Sequence, residues 1–177
     1  QKEILSKSKL NFKLNFFNTK KYLKIINISR FTNQKDHLTL LKAFKIIKSK
    51  INSRLIIMGY GPNESKIKEY IKENKLNKSV KIIKYQENPY KFLKKADLFI
   101  LTSLYEGLPN VLLEAMVLKK FVISSNCPTG PKEILNNGKY GFLFKMKNYK
   151  ELANKILLYK KNKNTYKKKV MSGFKSL

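Results

Sequence analysis

The sequence alternates short apolar runs of strand length with segments whose apolar residues recur at helical spacing. This alternation is typical of a parallel sheet, because parallel strands need long crossover connections that are usually helical. We therefore predict an α/β fold in which a parallel sheet lies between two layers of helices. The predicted strands are residues 23–28, 55–58, 80–83, 98–101, 121–124 and 141–144.

A helix is predicted after each of the first five strands. Asp36 is a predicted N-cap, and the helix that follows it has an apolar stripe of Leu38, Leu41, Phe44, Ile47 and Ile51. Further helices are predicted to end near residue 73 and to span residues 89–95, 110–118, 131–135 and 149–161, with a last one from 165 onward. Residues 1–21 do not fit the alternation, and we interpret them as a lead-in or interdomain segment before one domain over residues 22–177.

Length and composition suit one domain with a packed core, because 42% of the 177 residues are apolar. No run of about 18 apolar residues occurs, so no membrane-spanning helix is predicted. The single cysteine, Cys127, excludes an internal disulfide framework, and a reducing cytoplasm is the simplest compartment. The first residue is not Met, and we expect the sequence to begin partway into a longer protein.

The formal net charge of +28 raises the possibility of a basic nucleic-acid-binding module. Only Arg30 and Arg54 are arginines, however, whereas contacts that read base edges or grip phosphates favour arginine. The lysines are spread along nearly every segment, which indicates a general compositional bias and solvated surfaces rather than one nucleic-acid patch.

In a sheet of this kind, ligands bind outside the carboxyl ends of the strands. The first predicted strand is followed by a loop that contains Arg30 and Lys35, and both cations can point into that crevice. A pair of cations there suits a diphosphate, and it can stabilise the charge of a departing phosphoryl group. Two ordinary surface cations are the alternative.

The loop after the fourth strand carries Glu106 and Gly107, and a helix begins near Asn110 with Glu114 in its early part. The helix start offers unpaired amides and a positive dipole end, so it can bind an anion. The two carboxylates bracket that position, and carboxylates accept hydrogen bonds from sugar hydroxyls. A nucleotide sugar, with a diphosphate between two hydroxyl-bearing rings, fits this bracket. The candidate amide donors are Leu108, Asn110 and Val111.

Other positions carry weaker signals. Gly59 and Gly61 follow the second strand and allow close backbone approach to a base or phosphate, and Tyr85 and Gln86 follow the third strand and can cover a nucleobase. A plain turn and a surface loop explain them equally well. His37, the only histidine, is expected at a capped surface position, so no catalytic triad or histidine-rich metal site is predicted.

The run from Ala96 through Met116, with Glu106 and Glu114, resembles the E-x7-E signature of retaining GT-B glycosyltransferases of group 1, or family 4. Other features agree in order: Arg30 and Lys35 resemble the family's R-x4-K, residues 55–62 its strand-G-x-G-P, and residues 127–141 its CPxGPxEIL stretch with two later glycines. The resemblance covers roughly residues 22–160. It implies a Rossmann-like domain, the C-terminal donor-binding half of a GT-B fold.

The resemblance also implies a function. Arg30 and Lys35 would contact the diphosphate of a nucleotide sugar and act in catalysis, together with Glu106, which would hold the transferred sugar. Glu114 would hold the ribose, no metal or other cofactor would be required, and the anomeric configuration would be retained. The acceptor-binding half would be an N-terminal domain outside this sequence, and without it we expect little or no transfer. Ser29 stands where the family commonly has glycine.

The short loop around Glu106 and the Cys127-Pro128 run resemble family members that build bacterial envelope polysaccharides or lipopolysaccharide, which favours a UDP-linked donor and a saccharide or lipid-linked acceptor. Lysine-rich surfaces could then hold a cytoplasmic enzyme against anionic lipids of the membrane's inner face. The alternatives are the basic nucleic-acid-binding module and a non-catalytic remnant that binds nucleotide sugars without transferring them.

Overall fold

The computed structural model describes residues 1–10, 12, 14–18 and 21–177. All the strands found there lie in one sheet: β1 (Leu23–Ile28), β2 (Ser53–Met58), β3 (Val80–Ile83), β4 (Leu98–Leu101), β5 (Phe121–Ser125) and β6 (Phe142–Phe144). The α-helices of the same residues are α1 (Lys2–Ser8), α2 (His37–Lys48), α3 (Glu64–Glu73), α4 (Tyr90–Lys95), α5 (Asn110–Val117), α6 (Pro131–Ile134), α7 (Tyr149–Lys161) and α8 (Lys167–Lys175).

The sheet has the order β3-β2-β1-β4-β5-β6, and every pair of neighbours is parallel. Strand β1 lies in the middle of the sheet. Strands β2 and β3 follow on one side of it, and β4, β5 and β6 follow on the other side. The order therefore reverses between β1 and β4. In such a sheet the loops that follow these two strands separate to opposite faces and open a crevice at the carboxyl edge.

Each face of the sheet carries its own apolar core. Side chains of α2, α3 and α7 pack on one face, where Leu41 and Ile156 are fully buried. Helices α4 and α5 cover the other face, where Leu93 and Leu112 are fully buried. All four residues of β4 are buried, as expected for a central strand covered on both sides. The predicted three-layer α/β fold is confirmed.

The predicted apolar stripe of α2 is partly wrong. Leu38 is 39% exposed, whereas His37 is 3% exposed. The Asp36 carboxylate accepts a hydrogen bond from the Thr39 amide, as predicted for an N-cap, and the helix begins directly after it at His37. This start turns His37 toward the core, in line with Leu41 and the later buried positions, and leaves Leu38 at the rim.

Several element bounds also differ from the prediction. Strand β2 begins at Ser53 because it pairs with β1 from Leu23 onward, although Ser53 and Arg54 are polar. The predicted lead-in segment contains α1, which packs against α4 and α5, and Phe17, which is buried in the core. Positions 11, 13, 19 and 20 of that segment lie outside the described residues. The last predicted helix begins at Lys167 rather than near residue 165.

Candidate functional site

A cavity of about 520 Å³ lies at the carboxyl edge of the sheet, at the reversal of strand order. It is bounded by the ends of β1 and β2, the loop after β3, and the first turns of α4 and α5. The cavity is lined by Ile28, Ser29, Arg30, Gly59, Tyr60, Tyr85, Glu87, Pro89, Tyr90, Asn110, Val111 and Glu114. This is the place where the topology of a doubly wound sheet is expected to bind a ligand.

Glu114 contributes a half-buried carboxylate to the cavity. The Tyr90 hydroxyl donates a hydrogen bond to Glu114 Oε1 at 3.2 Å. Burial raises the pKa of Glu114, and the hydrogen bond from Tyr90 opposes part of that rise. Burial and the neighbouring carboxylate raise the pKa of Tyr90 to about 12, so its hydroxyl stays protonated. Glu114 is thus a desolvated acceptor held in place by one neutral donor.

Arg30 also lines this cavity, directly after β1, and the residue is exposed. It forms no ion pair with any residue that the structure describes. The loop that carries it is anchored to its neighbours, since the Phe31 amide donates to Tyr60 O at 2.7 Å and the Asn63 amide donates to Phe31 O at 2.9 Å. A guanidinium on an anchored loop is well suited to bind an anion in the cavity.

Lys35 and Glu106 form an ion pair next to the cavity rather than inside it. Lys35 Nζ lies 2.6 Å from Glu106 Oε1, and the Ser103 hydroxyl donates to the same oxygen at 2.5 Å. The side chains of Lys35 and Glu106 are only 15% and 7% exposed. Glu106 is therefore not a solvated loop acid, and Lys35 is not a free cation pointing into the crevice. Thr102 holds the same loop through a bond from its hydroxyl to Lys35 O at 2.8 Å.

Helix α5 begins at Asn110, as predicted, with Pro109 before it. The predicted set of amide donors changes, because the Asn110 amide already donates to Leu108 O at 2.9 Å. The prediction of anion-binding amides therefore rests on Leu108 and Val111. Gly107 lies next to them, and a Cβ added there would meet nothing within 4 Å. The loop before α5 thus has open space beside Gly107.

Close packing against the loop that carries Arg30 requires glycine at positions 59 and 61. A Cβ on Gly59 would lie 1.9 Å from Ser29 O, and one on Gly61 would lie 2.6 Å from Phe31 O. Their φ angles of 156° and 149° also disfavour other residues. These glycines let the end of β2 lie directly against the loop that carries Arg30. Gly59 lines the cavity, whereas Gly61 does not.

The structure brings half of the predicted site residues into one cavity. The six that line it are Arg30, Gly59, Tyr85, Asn110, Val111 and Glu114. The other six do not line it, and they are Lys35, Gly61, Gln86, Glu106, Gly107 and Leu108. Sequence reasoning missed Tyr60 and Tyr90. Tyr60 lies inside the Gly59–Pro62 turn and Tyr90 follows Pro89 at a helix start, so their positions after strands β2 and β3 were the available signal.

His37 corrects the prediction of a surface position, because it is 3% exposed and its Nε2 lies 3.0 Å from Ser29 Oγ. Burial, assisted by the charge of Lys35, lowers the pKa of His37 to about 4. Cys127 is buried, in keeping with a packing role, and burial raises the pKa of its thiol.

Within the described part of the chain, no three His, Cys, Asp or Glu side chains gather into a group that could hold a metal ion. A search of the same residues for a helix long and apolar enough to cross a membrane finds none.

Comparisons with known proteins place this chain in one family. The family described as Glycosyl transferases group 1 matches residues 7–174. An uncharacterized glycosyltransferase of Methanocaldococcus jannaschii is 42% identical over 134 residues, which cover 68% of this chain and 33% of the relative. The poly(glycerol-phosphate) alpha-glucosyltransferase of Bacillus subtilis is 30% identical over 158 residues, covering 89% of this chain and 23% of the relative. The chain thus spans a third or less of the length of these relatives.

Solved structures share the fold of this chain. A mutant of S. aureus TarM, in complex with fondaparinux, alpha-GlcNAc-glycerol and UDP, superimposes with a TM-score of 0.81 at 27% identity, over 89% of this chain and 33% of TarM. Anabaena HepE, in complex with UDP and glucose, gives a TM-score of 0.81 at 21% identity, over 87% of this chain and 43% of HepE, and that likeness concerns the fold alone. With its parallel sheet, the cavity at its carboxyl edge and the family match over nearly its whole length, the chain belongs to the group 1 glycosyltransferases.

Proposed function

We propose that this chain is the donor-binding domain of a retaining glycosyltransferase that uses a UDP-linked sugar. The observation that carries the proposal is the cavity itself, which is lined by both the desolvated carboxylate of Glu114 and the guanidinium of Arg30, a cation with no ion-pair partner among the described residues. A nucleoside diphosphate offers hydroxyls to the first group and negative charge to the second. The volume of about 520 Å³ lies within the range of small-molecule sites.

Glu114 is proposed to accept hydrogen bonds from the ribose hydroxyls. Its carboxylate has lost part of its hydration, and the hydrogen bond from Tyr90 ends on Oε1. Hydroxyl donors from a bound ribose would replace the water that burial removed, and these hydrogen bonds would be strongest when the carboxylate is ionised. Tyr60 and Tyr85, whose rings meet edge to face 6.3 Å apart, would cover the base, with Gly59 and Gln86 beside it.

Arg30 and Lys35 are proposed to neutralise the diphosphate, with the amides of Leu108 and Val111 at the start of α5 as further donors. Lys35 is bound to Glu106 before any donor enters. It would therefore share its protons between this carboxylate and a phosphoryl oxygen, since an ammonium has three donors. The role of both cations in catalysis would be to stabilise the departing diphosphate.

Glu106 is proposed to hold the transferred sugar. Among the described residues, Lys35 and Ser103 both donate to Oε1 of its side chain, which leaves Oε2 for a sugar hydroxyl. The Glu106 carbonyl also accepts from the Thr129 hydroxyl, which fixes the loop. Gly107 gives the sugar room to approach, because its Cβ position is open.

The relatives support a UDP-linked donor and an envelope polysaccharide as the product. TarM, at 27% identity, was crystallised with UDP. The Bacillus relative is named for transfer of an alpha-glucosyl group to poly(glycerol-phosphate). A poly(ribitol-phosphate) alpha-N-acetylglucosaminyltransferase of Staphylococcus aureus is 30% identical over 74% of this chain. Alpha products from the usual alpha-linked donors correspond to retention, and the acceptor would be a saccharide or a lipid-linked molecule.

We propose further that transfer needs no metal and requires an N-terminal acceptor domain. The cations and the start of α5 would supply the charge stabilisation that a metal supplies elsewhere. The chain alone would bind the donor but transfer little. Transfer by the 177-residue chain at an ordinary enzymatic rate would contradict this part of the proposal.

The lysine-rich surface would hold the enzyme at the inner face of the cytoplasmic membrane through anionic lipids. The net charge of +28 supports this proposal. Sedimentation with vesicles tests it at low salt. Binding to vesicles with anionic lipid should exceed binding to neutral vesicles, and equal binding to both would contradict membrane contact.

The direct test of the donor site is calorimetry without metal, with UDP, ADP and GDP as probes. UDP should bind, and Glu114→Gln should weaken binding by about tenfold, the cost of roughly one hydrogen bond to a charged group. Glu64→Gln is the matched control, because Glu64 lies on α3 in an ion pair with Lys68 and does not line the cavity. If both variants bind UDP like the unchanged chain, Glu114 does not hold the ribose.

A further inference from the structure

A buried histidine lies at the base of the loop that carries Arg30 and Lys35. Ser29 comes just before Arg30, and His37 comes just after Asp36 at the start of α2. His37 Nε2 and Ser29 Oγ are 3.0 Å apart, so this contact joins the two ends of the loop. The His37 ring also meets Phe31 edge to face at 5.2 Å.

The hydrogen bonds around Ser29 fix the direction of this contact. The Asn27 side-chain amide donates to Ile100 O at 2.9 Å, so its Oδ1 faces the other way and can only accept. The Ser29 hydroxyl donates its one proton to Asn27 Oδ1 at 2.9 Å. Ser29 Oγ therefore accepts from His37, and the histidine proton lies on Nε2. The chain of bonds runs from His37 through Ser29 and Asn27 to the central strand β4.

His37 is neutral in this arrangement. It is 3% exposed, and Nδ1 has no hydrogen-bond partner among the described residues. The charged groups around it are Lys35 on the loop, Asp36 at the cap and Lys66 on α3, which shares a small cavity with His37. A single neutral tautomer gives the loop a donor at one fixed position.

We infer that His37 is a positioning residue for the diphosphate site: through Ser29 and Asn27 it fixes the backbone that presents Arg30 and Lys35. The expected effect on nucleotide binding rests on the proposed function. The role of His37 in fixing the loop does not depend on that function. Without the Nε2 donor, the loop keeps its bonds to Tyr60, Thr102 and Leu104 but loses the tie between its two ends.

Three variants separate positioning from ordinary packing. His37→Leu keeps a buried apolar side chain and removes both ring nitrogens. His37→Gln keeps an amide donor that can reach the position of Nε2. Ser29→Ala removes the acceptor of the same bond. If the bond is what matters, His37→Leu and Ser29→Ala have similar effects, their combination is not additive, and His37→Gln restores most of the loss.

The first measurement is amide hydrogen exchange of the full chain without ligand. The Phe31 and Leu104 amides, which bond to Tyr60 O and Gln34 O, should exchange about tenfold faster in His37→Leu than in the unchanged chain. Amides in β4 should keep their protection, and His37→Gln should resemble the unchanged chain. Unchanged exchange at Phe31 and Leu104 in His37→Leu would overturn the inference, whether or not the chain binds nucleotides.

The second measurement compares UDP with uridine by calorimetry. His37→Leu should weaken UDP binding by about tenfold while leaving uridine binding unchanged, because only UDP needs the two cations. Equal loss for both probes would mean general damage and would overturn the positioning role. Failure of the unchanged chain to bind UDP would refute the proposed function instead, and the exchange experiment would still decide the inference.

Discussion

Glu106 and Glu114 lie on one loop and the helix that follows it, and the sequence predicted them as a matched pair around a phosphate. The fold gives them opposite surroundings. Glu106 is 7% exposed but has a cation and a hydroxyl on one oxygen. Glu114 has lost hydration, and among the described residues its side-chain hydrogen-bond partner is the neutral Tyr90. The comparison teaches that the same residue type can serve as an anchored charge in one place and as a desolvated acceptor eight residues later in the chain.

The largest expected effect concerns the anchored side of this comparison. Glu106→Ala leaves the Lys35 ammonium, which is 15% exposed, without its counter-charge. Breaking a largely buried pair from one side should lower the free energy of unfolding by about 3 kcal/mol. Urea denaturation measures this.

Glu3→Ala is the control, since the pair of Glu3 with Lys7 is exposed and should leave the urea midpoint unchanged. If Glu106→Ala is as harmless as Glu3→Ala, the pair is not anchored as the geometry indicates.

The second prediction compares Gly61, which packs against the loop that carries Arg30, with Gly107, which follows Glu106. Gly61→Ala should lower the free energy of unfolding by about 2 kcal/mol, because the added Cβ meets Phe31 O and the backbone has a φ of 149°. Gly107→Ala should leave stability unchanged, since no atom lies within 4 Å of the new Cβ. Thermal unfolding of both variants checks this.

Gly107→Ala should nevertheless weaken UDP-sugar binding if a ligand approaches that loop. Unimpaired binding of a UDP-sugar by Gly107→Ala would show that the open space is not used.

The smallest expected effect is the pH dependence of stability that Glu114 causes. Because burial raises the pKa of Glu114 above the ordinary value of 4.5, the folded chain holds this proton more tightly than the unfolded chain. Its contribution to stability is therefore greatest below the unfolded pKa and is lost as pH rises through the folded pKa. Relative to Glu114→Gln, the unchanged chain should lose stability as the pH rises above 4.5. If the unchanged chain instead gains stability relative to Glu114→Gln as the pH rises, Glu114 is not desolvated in the folded chain.

Much of the fold could be predicted from the sequence because its strands are sharply bounded apolar runs. Strands β1, β3 and β4 begin and end at the predicted residues. Strand β2 was predicted too short because Ser53 and Arg54 belong to it only through pairing with β1, which no local pattern reveals. His37 rather than the predicted Leu38 is buried, because the residues that α2 turns toward the core depend on where the Asp36 cap starts the helix.

The location of the candidate site could be predicted from the sequence, but the side-chain contacts within and around it could not. Topology alone brings Arg30 and Glu114 to one crevice. The contact between Lys35 and Glu106 joins residues far apart in sequence, and it depends on how two loops fold against each other. The partner of Glu114, Tyr90, comes from a third loop, and its position follows from the start of α4 rather than from any motif.

The central claim is that the cavity holding Glu114 and Arg30 is a nucleoside-diphosphate site. Titration of UDP into the purified chain without metal, at moderate salt, tests it most directly, with Glu114→Gln and Glu64→Gln measured side by side. The account predicts one binding site for UDP, about tenfold weaker binding in Glu114→Gln, and unchanged binding in Glu64→Gln. No binding of UDP, ADP or GDP to the unchanged chain, or equal binding by both variants, would contradict it.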